Sequence, residues 1–273
     1  QECMPNIKHL RVCSAAYSPD ENPSLLLSEL PLLQLTSLHL GVHLGEFSLP
    51  GRPGRLSASE ALLLGQLHSL HHLKIECAGL GNSFAPFASL RCLRSFHLIF
   101  SYPANLQDLH MVGLNSFLAC LPHLMELELP RVAECPQSHS LRCLSLYECE
   151  MTDLPTRATL PSLLHLKIRC LCLDLREPGS RVAGALQGLS NVSLECSLFS
   201  LRNSEQCPCA GFLQTVLDST IRLAQLQRLS CSGVTFAPGQ LRLMADIFPQ
   251  VHYLSLYRCH FIPSEVSAFR LLD

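Results

Sequence analysis

Histidine and cysteine are the residues of this chain with the widest chemical range: there are 13 and 15 of them among 273 residues. Such side chains hold structural zinc when four of them converge, usually through Cys-x-x-Cys pairs. The nearest pairs lack that spacing: Cys170 with Cys172, Cys207 with Cys209, and Cys259 with His260. We predict no metal site and no cofactor, and interpret the cysteines as reduced packing residues. A local disulfide or reactive thiol pair at Cys207 and Cys209 is the alternative.

Catalytic motifs are missing from the sequence. It has no Gly-Lys-Ser/Thr phosphate loop, no Gly-x-Ser-x-Gly elbow and no His-Glu-x-x-His. Gly79-Leu80-Gly81 begins a Gly-x-Gly-x-x-Gly pattern, but Phe84 stands where the third glycine is required. The sequence therefore predicts a protein that is not an enzyme and has no catalytic residues.

The pattern Leu-x-x-Leu-x-Leu occurs ten times, with Val, Ile, Phe or Cys as substitutes. Its matches begin at Ile7, Leu35, Leu70, Leu93, Leu124, Leu141, Leu163, Leu189, Leu226 and Val251. The last two apolar positions alternate with polar residues, which is typical of a short strand with one buried face. Repeats spaced by roughly 20–29 residues form solenoids in which every repeat adds a parallel strand. Cysteine follows five of the strands, at Cys77, Cys149, Cys170, Cys196 and Cys259, where a small side chain can pack inward.

Helices are predicted between several strands. Ser57-Ala58-Ser59-Glu60 is a capping box that starts one helix. Further amphipathic stretches span 106–120, 181–189, 211–223 and 240–248, and prolines before four strands end the helices. The short stride from Leu124 to Leu141 predicts a loop, and insertions are predicted at 46–56 and 203–209. We expect the sheet on the concave side of the solenoid and helices or loops on the convex side.

The overall composition restricts the class of partner. The chain is 48% hydrophobic with a formal net charge of −2, which gives no basic footprint for nucleic acid or anionic lipid. No apolar run reaches the roughly 18 residues of a membrane span. We predict an intracellular protein, cytoplasmic or nuclear, that binds neither nucleic acid nor membrane. One domain, residues 1–273, is expected, as part of a longer chain because Gln1 is not an initiator methionine.

These repeats resemble the leucine-rich-repeat superfamily over nearly the whole chain. Within it, residues 144–153 (LSLYECEMTD) and 248–259 (FPQVHYLSLYRC) are similar to the cysteine-containing repeats of F-box substrate receptors. They are also similar to repeats of nucleotide-binding innate immune receptors and of ribonuclease-inhibitor-like proteins. The resemblance implies an α/β horseshoe. The F-box family would add an adaptor-binding helical motif, and the immune receptors a nucleotide-binding module, and neither has a candidate in these residues.

Strand alternation predicts which side chains face the concave side. They include His9, Arg11, His39, His72, Lys74 and His165, and the residues that we predict to bind a partner: Glu126, Glu128, Tyr147, Lys167, Arg169, Arg228, Tyr253 and Tyr257. Arg and Tyr are common anchors of protein interfaces. The predicted function is therefore protein binding, with resemblance favouring substrate recognition in a ubiquitin ligase. The ligand-sensing region of an immune receptor and a structural subunit of a large assembly are the alternatives, and the oligomeric state is left open.

Overall fold

The computed structural model describes residues 7–14, 34–42, 55–56, 58–77, 79–80, 84–100, 113–130, 135–147, 156–169, 187–195, 217, 222–232, 234–237 and 239–261. The chain divides into two compact units, residues 1–141 and 142–273. Each unit is built on an open parallel sheet of short strands.

The first unit contains five strands of a parallel sheet in the order β1-β2-β4-β6-β7. Their bounds are β1 His9–Ser14, β2 Ser37–Val42, β4 His72–Cys77, β6 Ser95–Phe100 and β7 Glu126–Pro130. Two short strands, β3 (Arg55–Leu56) and β5 (Gly79–Leu80), pair separately. The helices that the described residues of this unit form are α1 (Ala58–Gly65), a 3₁₀ helix (Ala85–Ser89) and α2 (Leu114–Ala119).

The second unit repeats this plan with the strand order β8-β9-β10-β11-β13. Its strands are β8 Cys143–Tyr147, β9 His165–Arg169, β10 Asn191–Glu195, β11 Arg228–Ser232 and β13 Tyr253–Tyr257. The short strands β12 (Thr235–Phe236) and β14 (His260–Phe261) pair with each other. Helix α3 (Gln240–Ile247) lies between β12 and β13 in the chain.

Every match to the Leu-x-x-Leu-x-Leu pattern leads into one of these ten parallel strands, so the predicted repeat of short strands is confirmed. The alternation is visible in β8, where Leu144 and Leu146 are buried and the residues on either side are half-buried. In β13, at the end of the strand order, Leu254 keeps 37% of its surface exposed. The narrower assignment to leucine-rich repeats stays a prediction.

The strands keep one register although the strides between them vary. One backbone carbonyl just before most of these strands accepts two N–H groups from the next repeat. Lys8 O accepts from Thr36 N and Ser37 N at 2.8 and 3.0 Å, and Arg142 O accepts from Leu164 N and His165 N, each at 2.9 Å. The same arrangement recurs through both units at Thr36, His71, Arg94, Leu164, Ser190 and Gln227. Insertions are therefore absorbed outside the strands.

A tight turn precedes most strands. In each turn, a backbone N–H donates a hydrogen bond to the carbonyl oxygen three residues earlier. Leu124 N donates to Leu121 O, and Val251 N donates to Phe248 O. Pro122 and Pro249 occupy the second position of these turns, where a fixed φ is favourable. Helices α2 and α3 end just before them, as the prolines predict.

Three of the predicted helices are confirmed in the described part of the chain. Helix α1 begins directly after Ser57, α2 lies within the predicted 106–120, and α3 matches 240–248. Residues 187–189 of the predicted helix 181–189 form a turn instead, with Gly188 at φ 88°, so this helix prediction is wrong at its end. Residues 135–142 contain no helix, in agreement with the loop prediction. Within 211–223 only three residues are described, of which Leu217 is helical, and the insertion at 203–209 lies outside the described residues.

Phenylalanines join helices to the sheet in the first unit. Phe96 of β6 lies 5.4 Å from Phe117 of α2 and 5.5 Å from Phe87 of the 3₁₀ helix, measured between ring centroids. Phe84 stacks on Phe117 at 5.1 Å, and all four rings are buried. These rings form the centre of the first unit's core.

Two of the cysteines among the described residues pack in the core. Cys77 and Cys231 are each only 1% exposed. The thiol of Cys259 donates to the carbonyl oxygen of Cys231 at 3.4 Å. The predicted inward packing at the cysteine slot is thus confirmed for Cys77, whereas Cys259 is half-buried. Cys149, Cys170, Cys196, Cys207 and Cys209 lie outside the described residues. None of the helices described is long and apolar enough to cross a bilayer.

Candidate functional site

The polar side chains between the buried strand residues form what we call the open face of each sheet. On the open face of the second unit they surround a shallow groove of about 260 Å³. We call it the second-unit groove, and its lining residues are Cys143, Leu144, Ser145, His165, Leu166, Lys167, Asn191, Val192, Ser193, Arg228, Ser230 and Tyr253. Five neighbouring strands thus contribute to one concavity.

The strand register explains how residues far apart in sequence meet in the groove. Cys143, His165, Asn191, Arg228 and Tyr253 are successive partners across the sheet and form a first row. Ser145, Lys167, Ser193, Ser230 and Ser255 form a second row. Serine side chains are short, so the serines on either side of Lys167 rise little above the sheet. The space above them is the groove.

Side-chain contacts along the first row fix the groove's polar groups. Asn191 Nδ2 contacts His165 Nδ1 on the adjacent strand. The guanidinium carbon of Arg228 lies 5.4 Å from the ring centroid of Tyr253, a cation–π distance. The tyrosine ring is 54% exposed, so the pair forms one open end of the groove.

In the first unit, the carboxylate of Glu76 on the open face contacts two basic side chains. Glu76 Oε1 lies 2.5 Å from Lys74 Nζ and 3.1 Å from His39 Nε2. Partial burial raises the pKa of Glu76, but the hydrogen bonds and charges of Lys74 and His39 more than offset it. The pKa of Glu76 therefore lies below its ordinary value, and the carboxylate is ionised at neutral pH.

A second cluster of the first unit contains both acidic residues that the sequence predicts to bind a partner. His97 Nδ1 contacts Glu128 Oε2, and His97 Nε2 lies 2.6 Å from Ser95 Oγ and 3.7 Å from Glu126 Oε2. Glu128 is mostly shielded, whereas the Glu126 side chain is 52% exposed. Both acids are thus engaged with a histidine of the same sheet face.

The remaining predicted partner-binding residues all lie on strands of the second unit. Lys167, Arg228 and Tyr253 line the second-unit groove together. Tyr147, Arg169 and Tyr257 occupy a third row, at the carboxyl ends of their strands. Tyr257 is 59% exposed and lies under the guanidinium of Arg258 at 5.1 Å.

Several residues of these sites are missing from the sequence prediction. Cys143, Asn191 and the serines line the groove, and His97 is the centre of the acidic cluster. Strand alternation places each of them on the same face as the predicted residues, so this signal could have found them. The sequence prediction selected charged and aromatic side chains as interface anchors, so it left out small polar residues such as Cys143, Asn191 and the serines.

In the ranges that the structure describes, no group of three or more His, Cys, Asp or Glu side chains is placed to hold a metal ion. Comparison with known proteins found no family model that matches the chain, and no curated protein that matches it.

Proposed function

We propose that the chain is a non-catalytic recognition module whose open sheet face in the second unit binds a protein partner. The observation that supports this is the second-unit groove. It places Lys167, Arg228 and Tyr253, residue types common among interface anchors, around one concavity on a rigid sheet.

The groove is preorganised for binding. Groove residues are attached to consecutive hydrogen-bonded strands, so their backbone positions are fixed before a partner arrives. Rigid placement lowers the entropy lost on binding. An exposed tyrosine against an arginine adds contact area with few rotatable bonds to immobilise.

A pull-down with paired variants tests this proposal. Wild-type full-length protein, the double variant Arg228→Ala/Tyr253→Ala and the control Arg242→Ala/Leu243→Ala serve as baits, followed by quantitative mass spectrometry. Arg242 and Leu243 are exposed on α3, away from the sheet strands. We expect partners that are lost with the groove variant and retained with the control. A partner profile that is the same for all three baits contradicts the proposal.

Within this class, we propose substrate recognition in a ubiquitin ligase. Its support is the resemblance of residues 144–153 and 248–259 to F-box/leucine-rich-repeat receptors. Co-purification of a cullin adaptor with the full-length protein is the expected result. Recovery of immune signalling proteins, or of a large assembly without the adaptor, would replace this assignment with one of its alternatives.

A further inference from the structure

Ser95, His97 and Glu128 lie side by side on the open face of the first unit. Ser95 and His97 are two residues apart on β6, so strand alternation places both side chains on the same face. Glu128 is the register partner of His97 on β7. The pairing of two neighbouring strands thus brings a hydroxyl, an imidazole and a carboxylate together.

Both ring nitrogens of His97 have a partner among these side chains. Nδ1 contacts Glu128 Oε2, and Nε2 lies 2.6 Å from Ser95 Oγ. A carboxylate only accepts hydrogen bonds, so Nδ1 carries the hydrogen and Nε2 of the neutral ring accepts from the Ser95 hydroxyl. The hydroxyl proton is therefore directed at a base.

This order of contacts is the one that activates serine nucleophiles. In Ser-His-acid triads, the imidazole takes the serine proton through one nitrogen while the acid holds the N–H of the other. Such triads are recognised by their geometry and not by chain order. Here the strand register supplies the geometry, which is why a search for Gly-x-Ser-x-Gly does not find it.

Charges around His97 favour the imidazolium that forms when it takes a proton. Glu126 Oε2 lies 3.7 Å from Nε2, in addition to the contact of Glu128 at Nδ1. Lys74, the register partner of His97 on β4, opposes the imidazolium, but its ammonium lies 2.5 Å from Glu76. Among the described side chains, two carboxylates at the ring thus face one cation that is paired elsewhere.

Exposure limits what can reach the serine. Ser95 keeps only 5% of its surface exposed, whereas the side chains of His97 and Glu126 beside it are 30% and 52% exposed. A reagent therefore approaches Oγ from the solvent side of these two residues. So narrow an opening favours a small acyl group over a polypeptide substrate.

From this geometry we infer that Ser95 is a modification site that takes a small acyl group from an activated ester or thioester. Ser95 Oγ bonds to the carbonyl carbon while its proton passes to His97 Nε2, and Glu128 is the positioning residue. The bond from that carbon to the donor's oxygen or sulfur then breaks, and the leaving group takes the proton from His97. The step is a single transfer, independent of the partner binding that we propose for the second unit.

The probe is para-nitrophenyl acetate, an activated ester of a small acyl group. It is incubated with the wild-type full-length protein, and peptide mass spectrometry follows acetylation of Ser95 with time. Ser230, a half-buried serine on the open face of the second unit, is the internal comparison in the same digest. Ser95 should be acetylated about a hundredfold faster than Ser230, the effect of a positioned general base.

Variants separate the roles of the two neighbours of Ser95. His97→Gln should slow acetylation of Ser95 about a hundredfold. Glu128→Gln keeps the shape of the side chain but removes its charge, and should slow the reaction by about tenfold or more, whereas Glu128→Asp should recover part of the rate. His39→Gln is the matched control, because His39 also contacts a glutamate on this face, and it should react like the wild type. Thermal melting of every variant checks that it is folded.

Acetylation of wild-type Ser95 no faster than that of Ser230 overturns the inference, and this comparison needs no variant. A folded His97→Gln protein that reacts as fast as the wild type overturns it as well. Equal rates for Glu128→Gln and the wild type remove Glu128 from the mechanism.

Discussion

Glu76 illustrates how a single carboxylate on a sheet face depends on its neighbours. Its folded pKa is below the ordinary value because Lys74 and His39 outweigh the opposing effect of burial. A group with a depressed folded pKa stabilises the fold above its unfolded pKa, about 4.3 for glutamate. That contribution is lost as the pH falls through the lower, folded pKa.

We predict that Glu76→Gln lowers the free energy of unfolding at pH 7 by about 0.5 kcal/mol, in the range of partly exposed ion pairs. The difference from wild type should shrink as the pH drops below about 4. Urea unfolding at pH 7 and pH 3 measures it. Glu126→Gln is the control with a smaller expected effect, since its side chain is 52% exposed and 3.7 Å from His97. A difference of the same size at both pH values would refute the prediction.

For a single residue, the sequence predicts which side of the sheet the side chain faces, but not which side chains of other strands lie next to it. Lys167, Arg228 and Tyr253 belong to different repeats but line the same groove, whereas Tyr147 is not among its lining residues. Alternation alone cannot predict this grouping. The rows depend on the register, which is fixed by backbone hydrogen bonds that every residue type except proline can both donate and accept.

Helix α1 and the 3₁₀ helix of the first unit meet at a glycine. A Cβ added at Gly65 would lie 2.1 Å from the carbonyl oxygen of Pro86. Ser89 Oγ donates to Gly65 O at 2.5 Å, which ties the same two elements together. Close backbone approach is therefore the reason for glycine at this position.

Gly65→Ala should destabilise the protein by about 2 kcal/mol. Overpacking costs about 1–3 kcal/mol and exceeds the gain of at most about 1 kcal/mol from alanine in a helix. Denaturant unfolding measures the change. Leu62→Ala on the same helix, where the leucine is 58% exposed, should stay within about 0.5 kcal/mol of wild type. Equal stability of Gly65→Ala and wild type would show that the two elements separate without cost.

Elements differ in how far the sequence predicts them. Helix α3 is foreseen because its apolar residues recur at helical spacing, and its buried Leu241, Met244 and Ile247 confirm the spacing. The 3₁₀ helix is missed because five residues are too few to show a period. Strands β12 and β14, two residues each, have the same difficulty, although Phe236 and Phe261 stack at 5.3 Å where they pair.

Across the whole molecule, the described cysteines divide by exposure rather than by sequence context. Cys92 and Cys120 are exposed, Cys135, Cys143 and Cys259 are half-buried, and Cys77 and Cys231 are buried. Thiol modification requires access as well as a thiolate. Exposure thus sets the order in which reagents reach them.

Among the seven described cysteines, iodoacetamide should modify Cys92 and Cys120 first in the native protein, and Cys77 and Cys231 only when urea unfolds it. Peptide mass spectrometry after timed quenching measures the extent of alkylation at each cysteine. The seven described cysteines serve as controls for one another. Labelling of Cys77 at the rate of Cys92 in native buffer would contradict the burial described here.

The constant register has a consequence for how this protein can change over generations. Inward and outward positions are separated by single residues along every strand, and each repeat contributes its outward side chains independently. A point substitution at Ser193 or Ser230 therefore changes the chemistry of the open face without altering the core. Under the binding function that we propose, this face can exchange one partner for another through a series of folded intermediates, one strand at a time.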